Sequence, residues 1–274
     1  MESIKKEKLV ADIRVAGVAT GSILVLHSSM KSIGWVDGGP NTLIDAFLEV
    51  LGSEGTLLVP TFTYGEKHRN KPFEPETSES VTGLLTETFR KRPDAVRSVC
   101  PVHSVAAIGK HAHELTRDHL YNTTLGRYSP FHMATERGGL IMLVGCDHNS
   151  NSTIHVAESL AEVPFNYVPT PTKPSGRMLI RQKDGKVKEI QLTEFTGCSN
   201  VFARAEKPLR QAGVIRDGKV GKASVQLMKG MDVLKVLVQI LQKNPDWLLC
   251  DNPECEFCPV RKEFMGNYRP SPGH

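Results

Sequence analysis

The segment 22–60 constrains the fold of this chain more than any other part of the sequence. An apolar run at 22–26 is followed by a loop containing three glycines, and Pro40 then suits the first turn of a helix. The helix gives way to a second apolar run at 56–60. The order of strand, loop, helix and strand predicts an α/β fold that contains parallel strands.

Two later segments predict antiparallel strands instead. Residues 177–192 and 214–228 each read as a hairpin, and 140–144 is a further apolar strand. Parallel units early and hairpins late predict one domain, 1–274: an α/β/α sandwich around a mixed sheet, with a cysteine-containing tail at 244–274. Helices are expected at 3–16, 81–91, 110–118, 199–212 and 231–243, and a loop at 64–80 that could cover a site.

The composition is that of a soluble globular protein. Hydrophobic residues make up 39% and charged residues 23% of the chain, and the formal net charge is +4. The basic residues are interspersed with acidic ones and form no nucleic-acid-binding signature, but the excess would suit an anionic small ligand. The charged N-terminus does not resemble a signal peptide, and no apolar run is long enough to span a membrane. We therefore expect a cytoplasmic protein with no nucleic-acid or membrane partner.

The most informative segment for function is 145–158, which follows the apolar strand 140–144. The end of a buried strand, before a helix, is a common position for an active site. His155 and Glu158 lie three residues apart on the expected helix, so they share a face. His155 can exchange a proton near neutral pH, and an acidic group could orient it. Glu158, Glu194 and Glu206 all remain candidates for that acid, and a merely packed histidine is the alternative.

Five blocks of the sequence, taken in order, resemble the aminoglycoside 3-N-acetyltransferase family. Each block is weak alone, but together they cover most of the chain from 22 to 228. They are His27-Ser28-Ser29 with 32–39 and 55–61; Arg97-Ser98 with Pro101 and Ser104; Ser129-Pro130; 145–158; and Gly218–Gly221.

The resemblance implies an acyltransferase that moves an acetyl group from acetyl-CoA directly to an amine, on a fold unlike the GNAT acetyltransferases. It implies His155 as the catalytic base, with Glu158 beside it, and aminoglycoside antibiotic resistance as the setting. The CoA-binding residues implied are His27, Ser28, Ser29, Ser32, Gly34, Trp35, Val36, Gly38, Gly39, Ser104 and Ser129. The substrate-binding residues implied are Asp147, Asn149 and Ser152. A homodimer is compatible with this assignment.

The chain departs from the family pattern in ways that bear on the acceptor. Asn149 stands where the family commonly has Asp, and Cys100 stands where it often has His. The sequence pI is about 8.7, whereas enzymes that bind polycations usually present acidic surface. We therefore expect weaker activity on gentamicin-like polycations than on a less charged amine. A catalytically inactive CoA- or sugar-binding relative is the alternative.

The cysteines and histidines suggest metal chemistry. Cys250, Cys255 and Cys258 are closely spaced in the tail, and Cys198 could supply a fourth thiolate for a structural zinc. Reduced, partly buried thiols are the alternative. His111 with His113, and Asp147 with His148, are fragments of metallohydrolase motifs, which makes that class a remote rival.

Overall fold

The computed structural model describes residues 3–65, 68, 71–169, 176–192, 194 and 196–268. A seven-stranded mixed sheet lies at its centre, and a separate two-stranded sheet lies beside it. The strands are β1 (Ile23–Ser28), β2 (Thr56–Pro60), β3 (Val96–Arg97), β4 (Val105–Gly109), β5 (Leu140–Val144), β6 (Arg177–Arg181), β7 (Val187–Gln191), β8 (Arg216–Val220) and β9 (Ala223–Lys229). The α-helices are α1 (Lys6–Ala16), α2 (Met30–Ile33), α3 (Gly39–Leu51), α4 (Leu84–Arg90), α5 (Ala112–Thr116), α6 (Pro130–Glu136), α7 (Thr153–Leu160), α8 (Glu206–Gln211), α9 (Gly230–Lys243) and α10 (Cys258–Asn267).

The sheet order is β3-β4-β2-β1-β5-β9-β8. Strand β1 pairs in parallel with both β2 and β5, and the other pairs are antiparallel. The central strands are apolar on both faces, as expected for strands covered by helices on both sides. The mixed sheet predicted from early parallel units and late hairpins is confirmed.

Successive residues of the central strands face two different hydrophobic cores. Val25, for example, belongs to the core formed with α5, α6, α7 and α9, whereas Leu24 belongs to the core formed with α1, α3 and α4. This alternation follows from the two-residue period of a strand. The architecture is therefore the expected sandwich of helices, sheet and helices.

Several element boundaries differ from the sequence expectations. The helix expected at 199–212 is a 3₁₀ turn at Phe202–Ala205 followed by α8, and the exposed helix expected at 110–118 shortens to α5. Its apolar residues, Ala112 and Leu115, are buried. The short elements α2, β3 and α6 were missed because each spans too few residues to show a period.

The cysteine-containing tail, 244–274, includes a helix that the sequence analysis did not identify. Helix α10 begins at Cys258 inside the tail, and Leu248, Leu249 and Cys250 are buried in the larger core. Among the described residues, no helix has the length and apolar character needed to cross a membrane.

Candidate active site

The carboxyl ends of β1 and β5 place two loops side by side. The strands pair in register, with Ser28 opposite Val144, so the segments that follow them leave the same edge of the sheet. Ser29 caps the short helix α2, and Gly145 follows β5. The hydroxyl of Ser32 donates a hydrogen bond to the Gly145 carbonyl oxygen over 2.9 Å, which joins the loops. Gly145 has a φ of +66°, and a Cβ there would clash with Ser32, so the close approach requires glycine.

The loop after β5 orders itself before α7 begins. The Asp147 carboxylate accepts a hydrogen bond from the Asn149 backbone N–H at 3.0 Å and caps a 3₁₀ turn at His148–Ser150. The Asn151 side chain then accepts from the Thr153 backbone N–H at 3.2 Å, at the first turn of α7. Seven of the eight residues of this helix are buried.

His155 and Glu158 form a buried hydrogen-bonded pair on α7. The Nδ1 atom of His155 lies 2.6 Å from Oε2 of Glu158. The residues are only 4% and 1% exposed, so water screens their interaction little. A carboxylate can only accept, so a neutral imidazole that donates to it from Nδ1 has its lone pair on Nε2. The ring of Phe202 packs edge-on against the imidazole, with centroids 4.8 Å apart.

Of the three acids considered from sequence, Glu158 is the one that contacts His155. Glu194 accepts a hydrogen bond from the Ser159 hydroxyl at 2.8 Å, and burial raises the pKa of this carboxyl group. Glu206 is bonded to Arg210 instead. The spacing of three residues on one helix is the sequence signal that distinguishes Glu158.

A cavity of about 1240 Å³ opens beside His155, and we call it the main cavity. His155 has no hydrogen bond from Nε2 to a described residue, so this nitrogen is available to a molecule in the cavity. The end of β1 and the loop after β5 contribute to the same wall. Their lining residues are His27, Ser28, Asn149, Ser150, Asn151 and Ser152.

A second cavity of about 810 Å³ lies along the same two loops. Ser32 and Asp147 line this second cavity, whereas Ser28 and Asn149, from the same two segments, line the main cavity. Each loop therefore passes from one cavity to the other. The Lys222 side chain, which has no ion pair with a described residue, supplies positive charge to the second cavity.

The remaining residues implied for CoA occupy varied positions. Ser29 caps α2, Gly34 lies against the Lys222 side chain, Trp35 is 70% exposed, Val36 is buried, and Gly38 and Gly39 begin α3. The hydroxyl of Ser104 donates to the Thr61 carbonyl oxygen and accepts from Arg97, while Ser129 caps α6. Neither Ser104 nor Ser129 lines either cavity. Their contact with CoA stays a prediction.

The main cavity also contains residues that sequence reasoning missed. Phe62, His103 and Phe202 line it, as do parts of the loop expected to cover a site, including Tyr64, His68 and Lys71. Residues 66, 67, 69 and 70 of that loop lie outside the described residues. The tail contributes 252 and 254–257, which were considered only for their cysteines. No sequence period marks these positions, because the fold brings them together from distant segments.

Four cysteines meet at one edge of the main cavity. The Sγ atoms of Cys198, Cys250, Cys255 and Cys258 all lie within 4.8 Å of one another. Among the described residues, this is the one group of histidine, cysteine and acidic side chains with such geometry. His111 contacts Glu114, and His148 contacts Gln226 and Asn151, so the fragments of a metallohydrolase motif do not assemble a metal site.

A histidine hydrogen-bonded to a buried carboxylate thus lies at the edge of an α/β sheet, on the wall of a cavity of about 1240 Å³, a geometry typical of an enzyme active site. Comparison with known proteins gives the family. The sequence profile of the aminoglycoside 3-N-acetyltransferase family matches residues 25–242. The chain therefore belongs to the aminoglycoside 3-N-acetyltransferase family and is an enzyme of the acetyltransferase class.

Individual relatives and structures agree with this assignment. Aminoglycoside N(3)-acetyltransferase IV of Salmonella sp is 30% identical over 243 residues, covering 88% of each chain. Aminoglycoside N(3)-acetyltransferase III of Acinetobacter baumannii is 30% identical over 258 residues, covering 85% of this chain and 89% of its own. A histidine-to-alanine mutant of aminoglycoside acetyltransferase AAC(3)-IVa, solved in complex with a gentamicin, superposes with a TM-score of 0.84 at 29% identity and covers 96% and 98% of the two chains. The fold is that of these acetyltransferases, as expected, and not the GNAT fold.

We predict that His27 stays neutral throughout the physiological pH range. Burial, with a smaller contribution from His148, lowers the pKa of His27 to about 3. Below about pH 6.5, His27 is protonated in the unfolded chain but stays neutral in the folded chain. As the pH falls, this residue therefore lowers the free energy of unfolding by up to about 1.4 kcal/mol per pH unit. Above pH 6.5 His27 makes no such contribution.

The measurement is urea denaturation at pH 7 and pH 5 for the wild type and for His27→Asn. The wild type should lose more stability than the variant between these pH values. An NMR titration in which the His27 ring protonates with a midpoint between pH 6 and 7 would contradict the account.

Proposed function

We propose that the protein transfers the acetyl group of acetyl-CoA directly to an amino group of an aminoglycoside or amino-sugar-like acceptor, with His155 as general base. The observation that carries this proposal is the buried His155–Glu158 pair, 2.6 Å apart, on the wall of the main cavity. Membership of an acetyltransferase family supports the reaction class.

The chemistry requires a base at this position. An amine attacks the thioester carbonyl carbon through its lone pair, so the nitrogen must lose a proton. Nε2 of His155 takes that proton, and the negative charge of Glu158 stabilises the imidazolium that forms. The carbon–sulfur bond then breaks, and the CoA sulfur leaves as a thiolate that receives the proton. No acetylated enzyme is formed.

Developing charge on the thioester oxygen also needs hydrogen-bond donors. Ser28 Oγ and His27 Nε2 are buried beside the main cavity and have no hydrogen-bond partner among the described residues. A neutral imidazole can donate from one nitrogen, and a hydroxyl can donate as well. We assign the oxyanion to this end of β1, where each well-placed donor contributes roughly 3 kcal/mol to transition-state stabilisation.

We propose that CoA lies along the loop 28–34, between the two cavities. Its thioester end would reach Ser28 in the main cavity, and its phosphates would lie near Ser32 and Lys222 in the second cavity. A positively charged side chain and a turn rich in backbone N–H groups suit a polyanion. The structure of AAC-IIIb in a binary complex with CoASH, 24% identical with a TM-score of 0.77, shares the fold.

We also propose that the four cysteines bind a structural zinc. Zinc–sulfur bonds of about 2.3 Å in a tetrahedron place the sulfur atoms about 3.8 Å apart, and the Cys198 and Cys250 sulfurs lie 3.7 Å apart. Backbone N–H groups of Asn200, Cys250 and Cys258 point at the sulfur atoms of the cluster, which favours thiolates. We place the protein in the cytoplasm, where reducing conditions keep such thiols free for a metal.

Substitution of His155 tests the base. We expect His155→Ala and His155→Gln to lower kcat by roughly 10²- to 10⁴-fold while the dissociation constant for acetyl-CoA stays within about twofold. Release of free CoA thiol with a panel of aminoglycosides and amino sugars measures kcat, and calorimetry measures acetyl-CoA binding. His155→Gln retains a hydrogen-bond donor for Glu158, so it separates loss of the base from loss of folding.

The matched control is His113→Ala, since His113 is exposed on α5 and lines neither cavity. It should keep wild-type kcat. A His155 variant with full kcat would remove the general-base role, and a wild type that binds acetyl-CoA but acetylates no amine would make the chain an inactive relative.

Metal analysis tests the zinc. We expect about one zinc per chain in protein purified without chelator, as four clustered thiolates require. Cys255→Ser should lose most of that zinc and lower the melting temperature, because two loops lose their link. Cys146→Ser removes a free thiol outside the cluster and should keep the metal. Two results together would contradict the zinc assignment. One is a wild type that contains no metal and has four titratable thiols at the cluster, and the other is a Cys255→Ser variant that melts at the same temperature as the wild type.

A further inference from the structure

The loop between Cys250 and Cys258 forms one wall of the main cavity. Asn252, Glu254, Cys255, Glu256 and Phe257 all line the cavity that His155 also lines. The sulfur cluster fixes this loop at three points and ties it to Cys198, 52 residues before Cys250 in the chain. A segment held in this way presents its side chains in a defined position, which a free tail would not.

Contacts on both sides of the cluster connect this wall to the catalytic pair. The Phe257 ring packs so closely on Gly197 that a Cβ there would clash with it. Phe202, which follows Cys198 closely in the chain, packs edge-on against the imidazole of His155 at 4.8 Å. On the opposite side, the Arg261 guanidinium stacks 5.6 Å from the Phe257 ring and 5.1 Å from that of Phe165.

Two carboxylates on this loop have no charged partner among the described residues. Glu254 and Glu256 are exposed to the cavity, and neither forms an ion pair there. Other exposed glutamates, such as Glu49 and Glu54, have a lysine at 2.8 and 2.5 Å. Two basic residues also line the cavity from other segments: Lys71 comes from the loop 64–80, and Arg177 comes from β6 and lies 3.6 Å from Glu189.

A buried polar atom deep in the main cavity is a separate indication of a bound ligand. His27, only 3% exposed, lines the cavity, and its Nε2 atom has no hydrogen-bond partner among the described residues. A buried polar atom without a partner is costly unless a bound molecule satisfies it. The two glutamates therefore stand at the wall of a cavity whose interior already requires a polar ligand.

The side chain at position 149 is poorly placed to attract a cation. Its carbonyl oxygen accepts a hydrogen bond from the Ala203 backbone N–H at 2.8 Å, and its amide nitrogen lies 3.4 Å from an Asp147 carboxylate oxygen. Asn149 is therefore occupied in joining two loops. A cationic acceptor needs its negative counterpart elsewhere in the cavity.

We propose that Glu254 and Glu256, held by the cysteine cluster, bind ammonium groups of a polycationic acceptor and orient its reacting amine toward His155. The inference rests on the proposed function. The chain's basic pI does not describe this loop, whose charged residues that line the cavity are both acidic. The acceptor class is then an amine with at least one further ammonium group, in contrast to the less charged amine expected from the sequence.

The test compares the double variant Glu254→Gln/Glu256→Gln with the wild type. Both changes keep side-chain size and leave every cysteine in place. For a single purified gentamicin we expect kcat/KM to fall roughly 5- to 30-fold, mostly through KM, as for the loss of two partly exposed ion pairs. The KM for acetyl-CoA and the zinc content should not change. Glu263→Gln, an exposed glutamate on α10 that lines neither cavity, is the matched control.

Salt and direct binding separate this inference from the proposed function. Raising the salt concentration should weaken gentamicin binding to the wild type, measured by calorimetry, more steeply than to the double variant. Equal dissociation constants for the two proteins, with gentamicin acetylated by both, would overturn the inference and leave the proposed function standing. Failure of the wild type to bind gentamicin at all would overturn the inference even if another amine is acetylated. Charge-dependent binding without acetylation of any amine would support the inference and refute the proposed reaction.

Discussion

The parallel pairing of β1 with β5 is the constraint on which the rest of the site depends. Five residues of each strand pair in register, so the segments that follow the two strands leave the sheet at the same edge. The Ser32 hydroxyl then joins the loops across a distance that only glycine at position 145 permits. The residues of the candidate site, from Ser28 to the start of α7, take their positions from this shared edge.

Burial strengthens the hydrogen bond between His155 and Glu158. A carboxylate and an imidazole at the surface would exchange their hydrogen bond with water and interact weakly. Here both side chains are buried on α7 and the Phe202 ring packs on His155, so the hydrogen bond from Nδ1 fixes the orientation of the imidazole. The base that we propose is therefore oriented before any substrate binds, which favours proton transfer.

The sequence predicted the sheet and the helix of the site for a physical reason. The apolar run 140–144 has the length of a buried strand and is followed by a glycine, and the spacing of His155 and Glu158 depends on one helix alone. The main cavity was harder to predict, since its walls come from segments far apart in the chain. Phe202 and Glu256 carry no local signal, and the tail contacts Cys198, which lies 52 residues before Cys250. Local patterns therefore indicated the histidine and the carboxylate that meet on α7 but not the walls of the cavity beside them.

The geometry of a complex with both substrates tests the central claim most directly. The measurement is a crystal structure of the wild type with CoA and the best acceptor found among the amines assayed. The account predicts that the reacting amine nitrogen lies within about 3.2 Å of His155 Nε2, directly or through one water, with the CoA sulfur beside Ser28. A complex in which the amine and the CoA sulfur meet away from His155, with Nε2 touching neither substrate nor a bridging water, would contradict it.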